Sequence, residues 1–217
     1  MSPKQNSASD SASNSKEQSK VTLRVENIVS SVTLHQKISL DALTDKYKDI
    51  QEKENFPGLV VKITKPKATI LLFGSGKLVM TGIQLIEHIP IIMEKILNKL
   101  EDAGIKIENE PTIKVENIVV RGDFHKKINL DFSSLILDRA IYEPEVFPGL
   151  IYKIIEPDPI CFLIFSSGRI ICTGANDLEI IKREVKNLAV FLKNEDVLGN
   201  VKPEPQEQLD VDLLDLF

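Results

Sequence analysis

Amides, hydroxyls, cations and phenyl rings stand at twin positions in this chain. Phe73-Gly-Ser-Gly-Lys-Leu-Val-Met-Thr-Gly82 recurs as Phe165-Ser-Ser-Gly-Arg-Ile-Ile-Cys-Thr-Gly174. Phe56-Pro-Gly-Leu59 recurs as Phe147-Pro-Gly-Leu150, and Val25-Glu-Asn-Ile-Val29 as Val115-Glu-Asn-Ile-Val119. The three words keep their order at offsets of 90, 91 and 92 residues, so the chain is a duplicated unit with small insertions in its second half. Two similar halves about a pseudo-twofold axis suit a target that is itself nearly two-fold symmetric, and double-stranded DNA is the commonest such target.

Strand alternation sorts these residues by face. Leu71 and Phe73 share a face of their strand, and Lys77, Val79 and Thr81 share a face of the next. The second half repeats this with Leu163 and Phe165, then Arg169, Ile171 and Thr173. Asn27 pairs by parity with Val29, and Asn117 with Val119. If these faces coincide, one open side of a sheet carries two Asn, two Thr, several aliphatics and Phe rings, with basic residues at its edges. In the minor groove, A·T pairs offer only the adenine N3 and thymine O2 acceptors. Amides and hydroxyls donate to those atoms, aliphatics fill the floor and clash with the exocyclic amine of G, and Phe rings at a sheet edge wedge between base steps. Any one of these aliphatics or Phe residues, taken alone, reads better as ordinary core. The duplication in register favours the groove.

The elements that must position them follow from local pattern. Each half begins with a β-rich segment, Val21–Leu34 and Lys114–Val120, followed by a short helix near Ser39–Lys48 and Asp131–Ala140. Three short strands come next in each half: Leu59–Ile63, Ala68–Phe73 and Lys77–Thr81, then Leu150–Ile155, Ile160–Phe165 and Arg169–Thr173. A longer helix closes each half. In the second, Asn176 is the expected N-cap before Leu178, Ile181, Val185 and Leu188. In the first, the helix lies within Ile83–Glu101 and begins near Ile89 or kinks, because Pro90 is tolerated only in a first turn. Strands with one helix-covered and one open face give an antiparallel α+β layer.

Composition agrees with an ordinary globular protein: 217 residues, 42% hydrophobic and 27% charged. No apolar run approaches the ~20 residues of a membrane helix, and residues 1–20, rich in Ser, Asn, Gln and Lys, contain no signal-like apolar core. A cytoplasmic or nucleoid location is expected, nuclear for a eukaryotic source. Of the net charge of −5, residues 1–20 hold +1 and residues 198–217 hold −4, leaving −2 over 21–197. Affinity for phosphates depends on where the cations sit, so the total neither supports nor excludes DNA. Residues 1–20 read as a disordered tail and 198–217 as an acidic flexible tail; the ending Gln208–Phe217 reads as solvated in preference to a partner-binding motif. Cys161 and Cys172 fall on opposite strand faces and are expected to be free thiols. There is no Gly-rich phosphate loop, no Cys/His metal spacing and no Ser/His/Asp neighbourhood, and His35, His88 and His125 are scattered. No enzyme, metal or cofactor is expected.

Taken together, the repeated Asn-Ile-Val, Phe-Pro-Gly-Leu and Phe-x-Ser-Gly-(Lys/Arg)-x-x-x-Thr-Gly words resemble the TATA-box-binding protein family over Val21–Asn194, with an acidic tail more like that of archaeal members. The resemblance implies a pseudo-twofold saddle: a ten-stranded curved antiparallel sheet with four helices on its convex side, in repeats spanning 21–105 and 111–197. It implies intercalating pairs Phe56 with Phe73 and Phe147 with Phe165, and groove donors Asn27, Asn117, Thr81 and Thr173. Groove-floor contacts fall to Val29, Leu71, Val79, Val119, Leu163 and Ile171, and phosphate contacts to Lys62, Lys77, Lys153 and Arg169. The loop with Glu143, Glu145 and Val146 resembles the family's surface for transcription factor B. The implied function is a general transcription initiation factor that binds and bends an A/T-rich promoter element and recruits transcription factor B and RNA polymerase.

Departures from the family pattern mark where the halves should differ. Lys62 and Lys153 stand where Arg is frequent, which keeps charge and loses bidentate geometry. Glu156-Pro-Asp158 replaces a Lys-Pro-Lys turn that the first half keeps at Lys65-Pro-Lys67, so the two ends of the saddle are expected to differ electrostatically. Arg121 replaces a small residue; counting by twos from Asn117 brings it to the DNA-facing side as a phosphate or groove contact, and an Arg turned to solvent at a strand end is an equal reading. The segment Gly82–Pro90 lacks the family's polar helix start. A divergent paralogue with weak A/T preference and a non-DNA scaffold are the alternatives, and pairing of the free protein into a homodimer through its concave face stays open.

Overall fold

The computed structural model describes residues 21–52 and 54–199. The tail expected over 1–20, and the acidic tail from 200 onward, lie outside the described residues. The first half runs β1 (Thr22–Thr33), α1 (Leu40–Lys46), β2 (Gln51–Glu52), β3 (Gly58–Thr64), β4 (Lys67–Phe73), β5 (Lys77–Ile83) and α2 (His88–Asp102). The second runs β6 (Thr112–Asp123), β7 (Lys127–Ile128), α3 (Leu130–Ile136), β8 (Ala140–Ile141), β9 (Leu150–Ile154), β10 (Ile160–Ile164), β11 (Arg169–Thr173), α4 (Leu178–Asn194) and β12 (Leu198–Gly199).

Ten strands form one sheet in the order β2-β3-β4-β5-β1-β6-β11-β10-β9-β8, and all of its pairings are antiparallel. The order is a near-palindrome about the β1–β6 pair, so the pseudo-twofold axis passes between the two longest strands. With four helices, this is the α+β architecture expected. Leu198 and Gly199, expected to open the flexible tail, instead pair with Ile128 and Lys127 as a separate ribbon. Among the described residues no helix is long and apolar enough to cross a membrane.

One face of the sheet is the core. Ile28 and Val32 of β1, Ile70 and Leu72 of β4, Leu78 and Met80 of β5, and Ile118 and Val120 of β6 are buried at every second position. Ile92, Met93, Ile96 and Leu100 of α2, and Ile181, Val185, Leu188 and Leu192 of α4, join them in one cluster that spans both halves. Their three- and four-residue spacing gives each helix a single apolar stripe. Pro90 is the third residue of α2, where its missing N–H has no intrahelical acceptor, so the helix starts near Ile89 as expected. The N-cap of α4 is Asp177, not Asn176: its carboxylate accepts the Glu179 N–H at 2.8 Å. A residue one place closer to Leu178 reaches the open N–H groups, and a carboxylate complements the positive helix end.

Phe162 of β10 is fully buried and stacks on Tyr152 at 6.1 Å between ring centroids. Phe162→Ala should cost about 3–5 kcal/mol through the cavity it leaves, read as a lower urea midpoint. Cys161 and Cys172 are free, as expected: Cys172 opposes core-facing Phe162, whereas Cys161 opposes Thr173. Burial pushes the Cys172 thiol up to about 12 and also raises that of half-buried Cys161, where Lys153 works against the shift. A thiol reagent at pH 8 should therefore modify Cys161 in the native protein and reach Cys172 only after unfolding, with mass spectrometry counting the adducts.

Candidate nucleic-acid interface

The uncovered face is organised from its centre. In the β1–β6 pair, Ile28 opposes Ile118 across the axis, with Asn27 opposite Val119 and Val29 opposite Asn117. Asn27 Oδ1 accepts the Gly82 backbone N–H at 2.7 Å, and this bond sets the rotation of the amide. Its Nδ2 then donates to Thr81 Oγ1 at 3.2 Å. Asn117 repeats the clamp with Gly174 N–H at 2.9 Å and Thr173 Oγ1 at 3.1 Å. Each Asn Nδ2 keeps a second hydrogen, and each Thr hydroxyl can turn its own toward Asn Oδ1 (3.3 and 3.2 Å) or outward. The arrangement is a pair of oriented donor sets, complementary to a partner made of acceptors.

The clamp explains the glycine that closes each repeated word. Gly82 and Gly174 have φ of +78° and +109°, and a Cβ on Gly174 would lie 2.5 Å from the Pro159 carbonyl oxygen. Only glycine turns its N–H onto the asparagine from there. The β1–β5 register skips one residue at this point, from Ile28↔Ile83 to Ser30↔Met80, so Thr81 and Gly82 together face Val29.

Outward from the clamps, cross-strand rows carry the aliphatics. One row runs Val60, Leu71, Val79, Ser31, Lys114, and its twin runs Ile151, Leu163, Ile171, Arg121, Arg24. Val29, Val119, Leu71, Val79 and Ile171 are partly exposed on this face, while Leu163 keeps only 7% of its surface. Phe56 meets Phe73 at 5.4 Å between centroids, and Phe147 meets Phe165 at 5.9 Å. Gly58 and Gly149 make room for these pairs: a Cβ there would lie 3.1 Å from Phe56 and Phe73, or 2.7 Å from Phe147 and 3.1 Å from Phe165.

Lys62 and Lys153 are exposed at the ends of rows that start at the clamps, Thr81–Thr69–Lys62 and Thr173–Cys161–Lys153. Lys77 opposes Thr33, and Arg169 opposes Asp123 at the twin place. Arg121 lies on the open face in the row with Ile171, its Nε 3.3 Å from Glu26 Oε1. Glu143, Glu145 and Val146 sit in the exposed loop before Phe147, where the Val146 and Phe147 N–H groups both donate to the Glu143 carbonyl at 2.9 Å. The Glu156–Asp158 turn, where an electrostatic difference between the ends is expected, is tied to α4. Asp158 accepts a 2.7 Å hydrogen bond from Arg183 of α4, whose Nε also bonds Glu184 at 2.7 Å, so one cation serves two carboxylates.

Four charged residues on this face escape sequence reasoning. β-Bulges at Val25/Asn27 and Val29/Ser30 insert Glu26 and Glu116, and thereby bring Arg24 opposite Arg121 and Lys114 opposite Ser31. Counting by twos from the asparagines puts Arg24 and Lys114 on the wrong face. The repeated Val-Glu-Asn word is the only trace of this in the sequence. Hydrogen bonds from Lys114 at 2.8 Å and Ser31 at 2.6 Å hold the Glu116 carboxyl below the ordinary carboxylate range. No cluster of three or more metal-ligating side chains occurs among the described residues.

With this geometry established, comparison with known proteins is specific. The family model described as transcription factor TFIID (or TATA-binding protein, TBP) matches the chain twice, over residues 22–103 and 112–194. The TATA-box-binding protein of Pyrococcus furiosus is 39% identical over 190 residues, covering 87% of this chain and 97% of that protein. That of Sulfolobus acidocaldarius is 36% identical over 192 residues, covering 88% and 95%. Among solved structures, Methanococcus jannaschii TBP matches with a TM-score of 0.73 and 35% identity, over 79% of this chain and 98% of its own. The chain belongs to the TATA-box-binding protein family.

Proposed function

We propose that this protein is a general transcription initiation factor that lays its open sheet face in the minor groove of an A/T-rich promoter element. Asn27, Thr81, Asn117 and Thr173 donate to adenine N3 and thymine O2, and the aliphatic rows exclude the amine of G. The pairs Phe56–Phe73 and Phe147–Phe165 insert between base steps at the two ends and bend the duplex, as minor-groove benders do and this family among them. Lys62, Lys77, Lys153 and Arg169 neutralise phosphates. Glu143, Glu145 and Val146 offer transcription factor B an acidic loop with an apolar tip, and RNA polymerase follows through that factor. The reading involves no catalysis.

The observation that carries it is the doubled clamp. Two amides are oriented by backbone N–H groups so that their donors point out of an apolar surface. A buried protein partner would have to satisfy those donors at two places related by the axis, and the edge of an A/T-rich duplex does so at every step.

Titration of an A/T-rich duplex against a G/C-substituted control, across a salt series, tests this. The A/T duplex should bind more tightly at every salt concentration, and Lys62→Ala should flatten the log–log salt slope by about 0.9. Equal affinity for both duplexes would remove the minor-groove reading. Phe165→Ala should shorten the complex lifetime by about fivefold to 150-fold, from the loss of roughly 1–3 kcal/mol of ring–base stacking. It should also reduce the bend seen by end-to-end fluorescence transfer and leave circular dichroism unchanged. An undiminished bend would dismiss the wedge role.

A further inference from the structure

We infer that Arg121 sets the polarity of this protein on a nearly symmetric duplex, by requiring an A·T pair at the base step beneath it while the twin step beneath Ser31 accepts G·C. The inference rests on the minor-groove reading of the open face.

The twin rows make the argument. Val60, Leu71 and Val79 answer to Ile151, Leu163 and Ile171 with no change of character, and Lys114 answers to Arg24 with charge kept. Between them stands Ser31 in one row and Arg121 in the other, each directly beside a groove-floor aliphatic, Val79 or Ile171. At this row position a hydroxyl on one side of the pseudo-twofold axis corresponds to a guanidinium on the other. The clamps, wedges and Lys62–Lys153 pair are matched, so they favour neither direction.

The surroundings of the two residues differ in the same sense. Ser31 Oγ donates to Glu116 Oε1 at 2.6 Å, and Lys114 takes the other carboxylate oxygen at 2.8 Å. The serine is thus held as an acceptor toward the groove, short enough to leave room for the G amine and able to accept its hydrogen. Among the described residues Arg121 has only Glu26 Oε1, 3.3 Å from its Nε, and that same oxygen lies 3.8 Å from Arg24 Nε with no well-aligned hydrogen bond. The carboxylate steers the guanidinium along the face and leaves most of its five N–H donors unused. Those donors match adenine N3 and thymine O2, and they meet a like donor in the G amine. Two further differences are Cys161 for Thr69, between each clamp and its lysine, and Asp123 for Thr33, one place farther out than Arg121 and opposite Arg169, where its carboxylate accepts the His125 N–H at 2.7 Å.

The test uses a self-complementary A/T duplex and two series in which a G·C pair is moved outward from the centre, placed in one half only or in both halves. At one distance from the centre the wild-type protein should tolerate the single substitution within about threefold, because it turns to keep Arg121 over the intact half. The double substitution there should cost about tenfold, the scale of one mismatched base pair. Each variant is judged by its ratio to its own parent-duplex affinity, so an overall loss of binding cancels. Arg121→Ser should bring the double penalty to within about threefold, and Ser31→Arg should make the single substitution cost about tenfold. No single-versus-double split at any position, or a double penalty retained by Arg121→Ser, would overturn the inference. Failure of wild-type protein to bind the parent duplex would instead strike the minor-groove reading itself.

Discussion

Everything on the open face is placed by the pairing of β1 with β6. These two twelve-residue strands meet along their whole length, and the axis between Ile28 and Ile118 sets each clamp beside its twin. A one-residue slip here would send Asn27 and Asn117 into the core and bring Ile28 and Ile118 out. The burial of that isoleucine pair, both fully enclosed, makes such a slip prohibitive. The bulges at Glu26 and Glu116 then do in each strand what alternation cannot, bringing Arg24 and Lys114 to the same side as the asparagines.

Chemistry follows from this placement. The asparagine amide has two polar ends and could turn either toward a ligand. The Gly82 and Gly174 N–H groups engage the oxygen, so the nitrogen faces outward beside a threonine. The orientation is thus fixed by backbone that is itself held by the sheet. A surface of aliphatic rows with two such donor sets has the chemistry to match the acceptor edge of a base pair and to disfavour an extra donor, and the matched Phe pairs stand at either end of it.

Much of this was legible in the residues, and the reasons are physical. Period-two alternation assigned Leu71, Val79, Ile171 and both Thr residues to one face because every second neighbour is core. The repeated words showed two halves, and Pro90 announced the start of α2. The N-cap of α4 was misplaced by one residue because Asn176 and Asp177 are both good caps and only the helix register decides between them. Arg24, Lys114, Glu26 and Glu116 were invisible because a bulge leaves no mark in composition and reverses the parity on which counting depends. The hydrogen bond from Arg183 to Asp158 joins a turn to a helix twenty-five residues further on, a contact no local pattern encodes.

The seam between β1 and β6 has a consequence for how the two halves came to differ. Each strand meets in its partner nearly the same sequence it carries itself, which is the arrangement of two identical subunits sharing an edge. In a true homodimer the interface is self-complementary, and any change on one side is made on the other as well. Joining the halves in one chain lifts that obligation. A serine and an arginine can then occupy equivalent places, as Ser31 and Arg121 do. Covalent linkage thereby gives a nearly symmetric face a front and a back in its chemistry, with no rearrangement of its backbone.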